Sequence, residues 1–330
     1  MSCYHPIEAF DVSGKYDLKK KLVFSVNSYT EEKLRAEGRS LQLPCGQCIG
    51  CRLAYSREWA NRCMLELSYH DSAYFATLTY NDAHLPHSWA VDRFSGEVLA
   101  PTATLVPRDF QLFMKRLRWH FQDDQIRFFA CGEYGSQSFR PHYHAILFGL
   151  HLSDLVLLKT SWHGDAYYTS ESFGSCWLDS EGESLGFHLL AQVTWETCAY
   201  VARYMLKKQK GATKDVYEDL GVAPEFSRMS LKPGIGSRYY DDHPEMWQFD
   251  KINVSTPDGG MSFPQPRFFT RRLADDNPVL AEEISSIRRF KAVQANLLKS
   301  RLTDKDYYDI LKTEEELKLK RVKSLVRPDI

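Results

Sequence analysis

The stretch Arg140-Pro141-His142-Tyr143-His144-Ala145-Ile146-Leu147-Phe148-Gly149 sets two histidines around one bulky residue inside an apolar run. Such a run reads as a buried strand, and alternate side chains of a strand share a face. His142 and His144 then point the same way, as two imidazoles aimed at one metal ion would, while Ala145, Leu147 and Gly149 fall on the other face. Glu133, just before a turn at Gly135-Ser136-Gln137-Ser138, is the nearest oxygen ligand on the paired strand and would complete a two-histidine, one-carboxylate set for Mg²⁺ or Mn²⁺. Downstream, Tyr200-Val201-Ala202-Arg203-Tyr204-Met205-Leu206-Lys207-Lys208 places two tyrosines four apart, followed by cations. On a helix the two phenols share a face. A phenol with a pKa of about 10 is a poor nucleophile at neutral pH. Its attack on a phosphodiester needs its proton removed or the phosphate made more electrophilic, and a divalent cation does the latter. Arg203, Lys207 and Lys208 could balance charge on the phosphate or lower the phenol's pKa. Cations also suit any helix C-terminus, and paired tyrosines also suit a core.

Cys45-Gly46-Gln47-Cys48-Ile49-Gly50-Cys51 is a second concentration of ligands. Three thiolates at this spacing can converge on one ion, and a fourth ligand from Cys3 or His5 would close a tetrahedral structural Zn²⁺ site. An iron–sulfur cluster is chemically open, but nothing near these residues suggests electron transfer. Cys63, Cys131, Cys176 and Cys198 lie in apolar or mixed segments and read as buried thiols.

The elements that must position these groups follow from periodicity. Tyr55, Trp59, Cys63 and Leu67 recur four apart between charged residues that include Arg52, Arg57, Glu58, Arg62 and Glu66, the pattern of an amphipathic helix over Leu53 to Tyr69. Ala73 to Tyr80 reads as a strand. Residues 81 to 106 form a long connection with no period, a length that implies a task. Pro107-Arg108-Asp109 starts a helix with Asp109 as N-cap; Phe110, Phe113, Leu117 and Phe121 line one side, and Arg108, Lys115, Arg116 and Arg118 the other. Ile126 to Glu133 and Pro141 to Phe148 pair as a hairpin. A helix is expected to start at Leu152 to Leu158, a strand at Gly186 to Thr194, and the tyrosine helix at Trp195 to Lys208. Residues 211 to 280 are loop-rich, with a turn and a phosphate-sized backbone opening at Leu231-Lys232-Pro233-Gly234-Ile235-Gly236. The remainder from Pro278 is helical, and residues 286 to 330 hold twelve Lys or Arg against seven Asp or Glu, an excess that suits a solvated face or DNA tracking. Three regions result: a Cys-rich lobe with its helix (1–70), a catalytic domain (71–240) and a mostly helical C-terminal region (241–330).

Length (330 residues) permits a large core, and the net charge of −1 argues against a protein that coats nucleic acid indiscriminately while leaving room for a local basic groove. No apolar run reaches membrane-spanning length, and Met1-Ser2-Cys3-Tyr4-His5-Pro6 lacks the features of a signal peptide, so a cytosolic protein with no membrane partner is expected.

Taken in order, Pro44-Cys45-Gly46-Gln47-Cys48 with Cys51, Arg57-Glu58-Trp59-Ala60, Phe75-Ala76-Thr77-Leu78-Thr79-Tyr80, Gly132-Glu133-Tyr134-Gly135 running into Arg140-Pro141-His142-Tyr143-His144, and Tyr200-Val201-Ala202-Arg203-Tyr204 resemble the replication initiator proteins of small single-stranded DNA bacteriophages, the microviruses, most nearly the gokushovirus type. That family looks like a branch of the HUH endonucleases, named for histidine, bulky hydrophobic residue, histidine. The resemblance implies an α+β fold with a central antiparallel β-sheet and flanking helices. It also implies rolling-circle replication in the host bacterial cytoplasm, begun by a site-specific nick in one DNA strand at the phage origin. By this analogy Tyr200 or Tyr204 attacks the scissile phosphate, forming a 5′-phosphotyrosyl link and freeing a 3′-hydroxyl that primes a host polymerase, with a host helicase as a further partner. The other tyrosine cleaves the regenerated origin, and strand transfer then joins the displaced strand into a circle. Many relatives carry lysine between the tyrosines where this chain has Arg203. Arginine keeps the charge but cannot donate a proton, so an acid role would pass to Lys207, Lys208 or water.

Other functions fit less of the chain. A histidine-triad hydrolase would want a third histidine at position 146, which is Ile146. A non-catalytic, zinc-stabilised DNA-binding protein accounts for the cysteines and basic helices but leaves both the histidine and the tyrosine pairs unexplained. A relaxase or transposase would share the chemistry and differ in its DNA.

Overall fold

A computed structural model describes residues 3–14, 21–135, 138–161, 164–204, 215–256 and 259–323, without the side chains of residues 203, 204, 215, 256 and 323. Contacts divide the chain into two compact units, Met1–Ala54 with Glu283–Ile330, and Tyr55–Glu282. No helix among the described residues is long and apolar enough to cross a membrane.

The first unit holds strands β1 (Ile7–Asp11) and β2 (Leu22–Val23), helix α1 (Ser28–Ala36), strand β3 (Ser40–Leu43) and the start of helix α2 (Ile49–Leu67). Its sheet has the order β2-β1-β3. Asn27 caps α1 by accepting from the Thr30 N–H at 2.9 Å, satisfying one of the donors a helix start leaves over.

The second unit is built on β4 (Ala73–Tyr80), the short pair β5 (His87–Ser88) and β6 (Thr102–Ala103), α3 (Pro107–His120), β7 (Arg127–Tyr134), β8 (Pro141–Phe148), β9 (Val156–Thr160), β10 (Ala166–Thr169), α4 (Glu171–Gly174), β11 (Gly186–Gln192), α5 (Trp195–Tyr204), α6 (Asp215–Asp219), β12 (Phe226–Met229), α7 (Ser237–Asp242), the hairpin β13 (Ile252–Thr256) and β14 (Gly259–Phe263), and α8 (Arg267–Asp276). Seven strands form one antiparallel sheet in the order β12-β7-β8-β4-β11-β10-β9. Helices α9 (Pro278–Ser300) and α10 (Tyr307–Lys323) end the chain. The fold is thus α+β: an antiparallel sheet with flanking helices, a Cys-rich N-terminal lobe and C-terminal helices.

Strand alternation gives the sheet two different faces. Tyr143, Ala145 and Leu147 of β8, with Ala76, Leu78 and Tyr80 of β4, pack against Phe110, Phe113, Met114 and Leu117 of α3 and against Phe173 and Trp177. Ile146 and Phe148 of β8, Phe75 of β4 and Phe129 and Cys131 of β7 pack against Trp59, Ala60, Cys63 and Met64 of α2 and Cys198, Ala199, Val201 and Ala202 of α5. Each large apolar side chain buried here contributes about 1.5–3 kcal/mol. Both faces are covered, and the histidines belong to the one under α2 and α5.

Three sequence expectations change. The Leu152–Leu158 segment is not helical: Asp154 is committed to the start of α4, accepting from Ser172 N–H at 2.8 Å and Ser170 Oγ at 2.6 Å, and Val156 onward pairs with β10 as an edge strand. Asp109 is not the N-cap of α3; Val106 is, and the Asp109 carboxylate instead accepts from the buried Tyr80 hydroxyl at 2.7 Å. Arg116 and Arg118 do not form a free basic side, since they donate to the carbonyls of Leu178 and Asp179 and of Ile126. The four scattered cysteines are buried thiols, as expected.

Candidate active site

The hairpin of β7 and β8 is in register at Glu133↔His142 and Cys131↔His144, and β4 adds Thr79↔His142 and Thr77↔His144. Directly paired residues of an antiparallel sheet put their side chains on the same face. Glu133 Oε1 therefore lies 2.7 Å from His142 Nε2 and 3.1 Å from His144 Nε2. Octahedral Mg²⁺ bonds of about 2.1 Å would set neighbouring ligand atoms about 3 Å apart, so this spacing fits one hard divalent cation. The outer hydrogen bonds agree. His142 Nδ1 is 3.0 Å from the Arg140 carbonyl, which can only accept, so Nδ1 carries the proton and Nε2 turns its lone pair toward the carboxylate oxygen. Two acceptors facing each other at 2.7 Å require a cation, either a proton or a metal. The Thr77 hydroxyl holds the His144 ring through Nδ1 at 2.9 Å, the usual way a ligating histidine is oriented. Burial works to raise the Glu133 carboxyl, but the hydrogen bonds from His142 and His144 outweigh it and hold its pKa below the ordinary value.

Helix α5 brings the tyrosine. Thr194 and Thr197 close its start reciprocally, each backbone N–H donating to the other's hydroxyl at 2.9 and 3.2 Å. This fixes the turn on which Tyr200 follows. Its ring meets the His144 ring edge-on, centroids 5.2 Å apart at 78°, and meets Phe75 at 6.0 Å. Arg203 and Tyr204 complete the helix backbone, their side chains outside the described residues, as are Lys207 and Lys208 altogether.

One residue was missed from sequence. Phe187 of β11 pairs with Thr79, extending the row Glu133–His142–Thr79 by one strand on the same face, and its ring is 69% exposed. An exposed aromatic on an otherwise covered face was the available signal, but it needs the strand register to be read.

In the first unit, Cys3, Cys45, Cys48 and Cys51 offer sulfur atoms all within 4.8 Å of one another. A tetrahedron with Zn–S bonds of about 2.3 Å has edges of about 3.8 Å, and Cys3 and Cys48 Sγ are 4.0 Å apart. Backbone N–H groups of Tyr4, Cys45, Cys48 and Cys51 donate to the sulfurs at 3.3 to 3.5 Å. Burial pushes the Cys48 thiol up, but the N–H groups of Tyr4 and Cys51 prevail and bring it down to about 7. The four donors fit zinc. His5, the alternative fourth ligand, is occupied elsewhere, its Nε2 2.6 Å from Glu315 Oε2.

A sheet that assembles two histidines and a glutamate beside a tyrosine-bearing helix falls within residues 73–209, the part that matches the family model for the replication-associated protein ORF2. That match defines the class: a replication-associated protein. Over nearly its whole length the chain is 31% identical to "Replication-associated protein ORF2" of Spiroplasma virus 4, covering 99% of this chain and 98% of that one. The chain belongs to this family of phage replication-associated proteins. It is also 28% identical to "Replication-associated protein VP4" of Bdellovibrio phage phiMH2K, over 91% of this chain and 86% of that one. Identity to "Replication-associated protein ORF4" of Chlamydia phage 1 is 28%, over 51% of this chain and 39% of that one. No solved structure matches the chain.

Proposed function

We propose that this phage replication protein initiates rolling-circle replication by nicking one DNA strand at the origin and later rejoining it, with Tyr200 and Tyr204 as nucleophiles and Glu133, His142 and His144 as ligands of Mg²⁺ or Mn²⁺. The contact between the rings of Tyr200 and His144, 5.2 Å between centroids, carries the reading, because a phenol serves this chemistry only beside the ligand set. The tyrosine oxygen forms a bond to phosphorus as the P–O3′ bond breaks. The 3′-hydroxyl leaves with the bonding pair and takes up a proton, while the phenol's proton passes to solvent. One phosphodiester is exchanged for another, so a later 3′-hydroxyl can attack the phosphotyrosine and reseal the strand without an external energy source. The metal, when bound, supplies Lewis-acid withdrawal of charge from the non-bridging oxygens. Glu133 and the two imidazoles hold their geometry through Arg140 and Thr77. Arg203, Lys207 and Lys208 supply positive charge near the phosphate. Single-stranded or locally melted phage DNA is the substrate, and a host helicase and polymerase act on the freed 3′-end in the bacterial cytoplasm. Cys3, Cys45, Cys48 and Cys51 hold a structural zinc.

The experiment mixes full-length protein, Mn²⁺ and cognate single-stranded phage DNA and looks for protein-linked DNA on a denaturing gel. A metal-dependent adduct is expected from wild type, and none from the Tyr200→Phe/Tyr204→Phe double variant or from His142→Ala/His144→Ala. Folded wild-type protein that binds origin DNA and forms no adduct would falsify the nicking reading and leave a zinc-stabilised DNA-binding protein.

A further inference from the structure

The segment Leu231–Gly236 is tied down by charged side chains that a solvated helix face would have left in water. Arg62 of α2 donates from Nε and Nη2 to the Ile235 carbonyl at 3.1 and 2.9 Å. Glu66, one turn on, accepts from the Gly236 N–H at 2.6 Å, and Arg127 donates to the Pro233 carbonyl at 2.9 Å. Beside this segment lies a cavity of about 680 Å³, within the size range of small-ligand sites. Its lining combines cations (Arg62, Lys232, Arg272) with apolar surface (Leu231, Pro233, Phe268).

Arg62 is the unusual member. It is only 8% exposed, yet among the described residues no carboxylate lies within ion-pair distance of it. Its guanidinium instead packs on the rings of Trp59 and Phe268, 4.1 and 4.2 Å from their centroids. Burial works against its charge and lowers its pKa, but an arginine does not deprotonate. A desolvated cation at the wall of an accessible cavity attracts an anion from outside. Asp241, the acid lining the cavity, is already engaged by Arg272 at 2.7 Å, which leaves Arg62 and the exposed Lys232 in excess. Leu231, 74% exposed, and Phe268 supply the flat apolar surface that a base or sugar needs.

We infer that this groove binds a phosphate and its adjoining base in single-stranded DNA, Arg62 and Lys232 facing the phosphate and Leu231, Pro233 and Phe268 the nucleoside. The choice of ligand rests on the nicking function proposed above. The path is short: Trp59 stacks on Phe129 at 4.5 Å, and Phe129 precedes Glu133 by four residues on β7. At about 3.3 Å per residue that is about 13 Å along the same face of the sheet. The groove would hold the strand a few nucleotides from the scissile phosphate and fix its direction across the sheet.

The test measures binding of a fluorescein-labelled oligothymidylate to the full chain by anisotropy across a salt series. Lys232→Ala should weaken binding about fivefold and flatten the log–log salt slope by about 0.7, the value for one phosphate contact on a single strand. Phe268→Ala should weaken it about tenfold, in keeping with one lost base contact. In case a variant folds poorly, the wild-type protein is also photo-crosslinked to an oligonucleotide carrying 5-iodouracil and the linked peptides are mapped. Crosslinks on Leu231–Gly236 or Phe268 support the groove. Crosslinks confined to other peptides, or an unchanged salt slope in folded Lys232→Ala, overturn it. The covalent-adduct assay on the same preparation separates the two claims: an adduct with an unoccupied groove sinks only the groove, and groove binding without an adduct sinks only the nicking.

Discussion

The edge of the Tyr200 ring meets the ring of His144, which stacks in turn on Phe75 at 5.5 Å, so the tyrosine helix is keyed to the ligand set through two aromatic contacts. Shifting α5 by one residue would remove both. The helix start at Thr194 and Thr197 therefore matters to chemistry as much as to helix stability.

Thr77→Val keeps the size of the side chain and removes the hydrogen bond to His144 Nδ1. Mn²⁺ affinity, followed by electron paramagnetic resonance, should fall about 10–100-fold, the usual loss when a ligand's outer partner is deleted. Thermal stability should change little, and unaltered Mn²⁺ binding would remove Thr77 from the site.

Cys48→Ser should abolish zinc in the purified protein, with wild type carrying about one zinc per chain by elemental analysis. The loss should appear with the same variant as a lower melting temperature, since metal affinity at such a site is folding free energy. Zinc retained at the wild-type level would show that the four thiols are not its ligands.

Asp154 gives a pH prediction. Desolvation works to raise its carboxyl, but Ser170 and the Ser172 backbone N–H hold it down at about 2 in the folded chain. A depressed folded pKa gives stability that is present above the unfolded value, about 3.9, and lost as pH falls toward 2. Asp154→Ala should cost about 1–2 kcal/mol at neutral pH, allowing for partial solvent screening. In urea titrations that gap from wild type should shrink below pH 4, and a gap independent of pH would refute the assignment.

Phe187→Ala removes the exposed ring in the cross-strand row with His142. Binding of origin single strand should weaken by about 1–3 kcal/mol if a base stacks there, and Phe187→Trp should restore it. Quenching of 2-aminopurine placed next to the nick site reads the stacking directly; equal quenching by Phe187→Ala and wild type would rule it out.

Local pattern carried much of this protein. The alternation in Pro141–Phe148 determined both the strand and the common face of His142 and His144, because side-chain direction in a strand follows from its period of two. The thiol spacing at Cys45, Cys48 and Cys51 and the tyrosine spacing in α5 were equally legible, as each depends on neighbours in sequence. Local pattern misjudged residues whose partners are distant. Asp109 looked like a cap until a Tyr80 hydroxyl from another element claimed it, and Arg62 and Glu66 read as a solvated side until residues 231–236 came to lie against them. Only the tertiary structure decided the rest: that Glu133 meets both imidazoles, that Cys3 and not His5 joins the other thiols, and that Phe187 stands in line with His142. Those are outcomes of strand register and chain return over long separations, and no local propensity encodes which distant side chain will arrive at a given place.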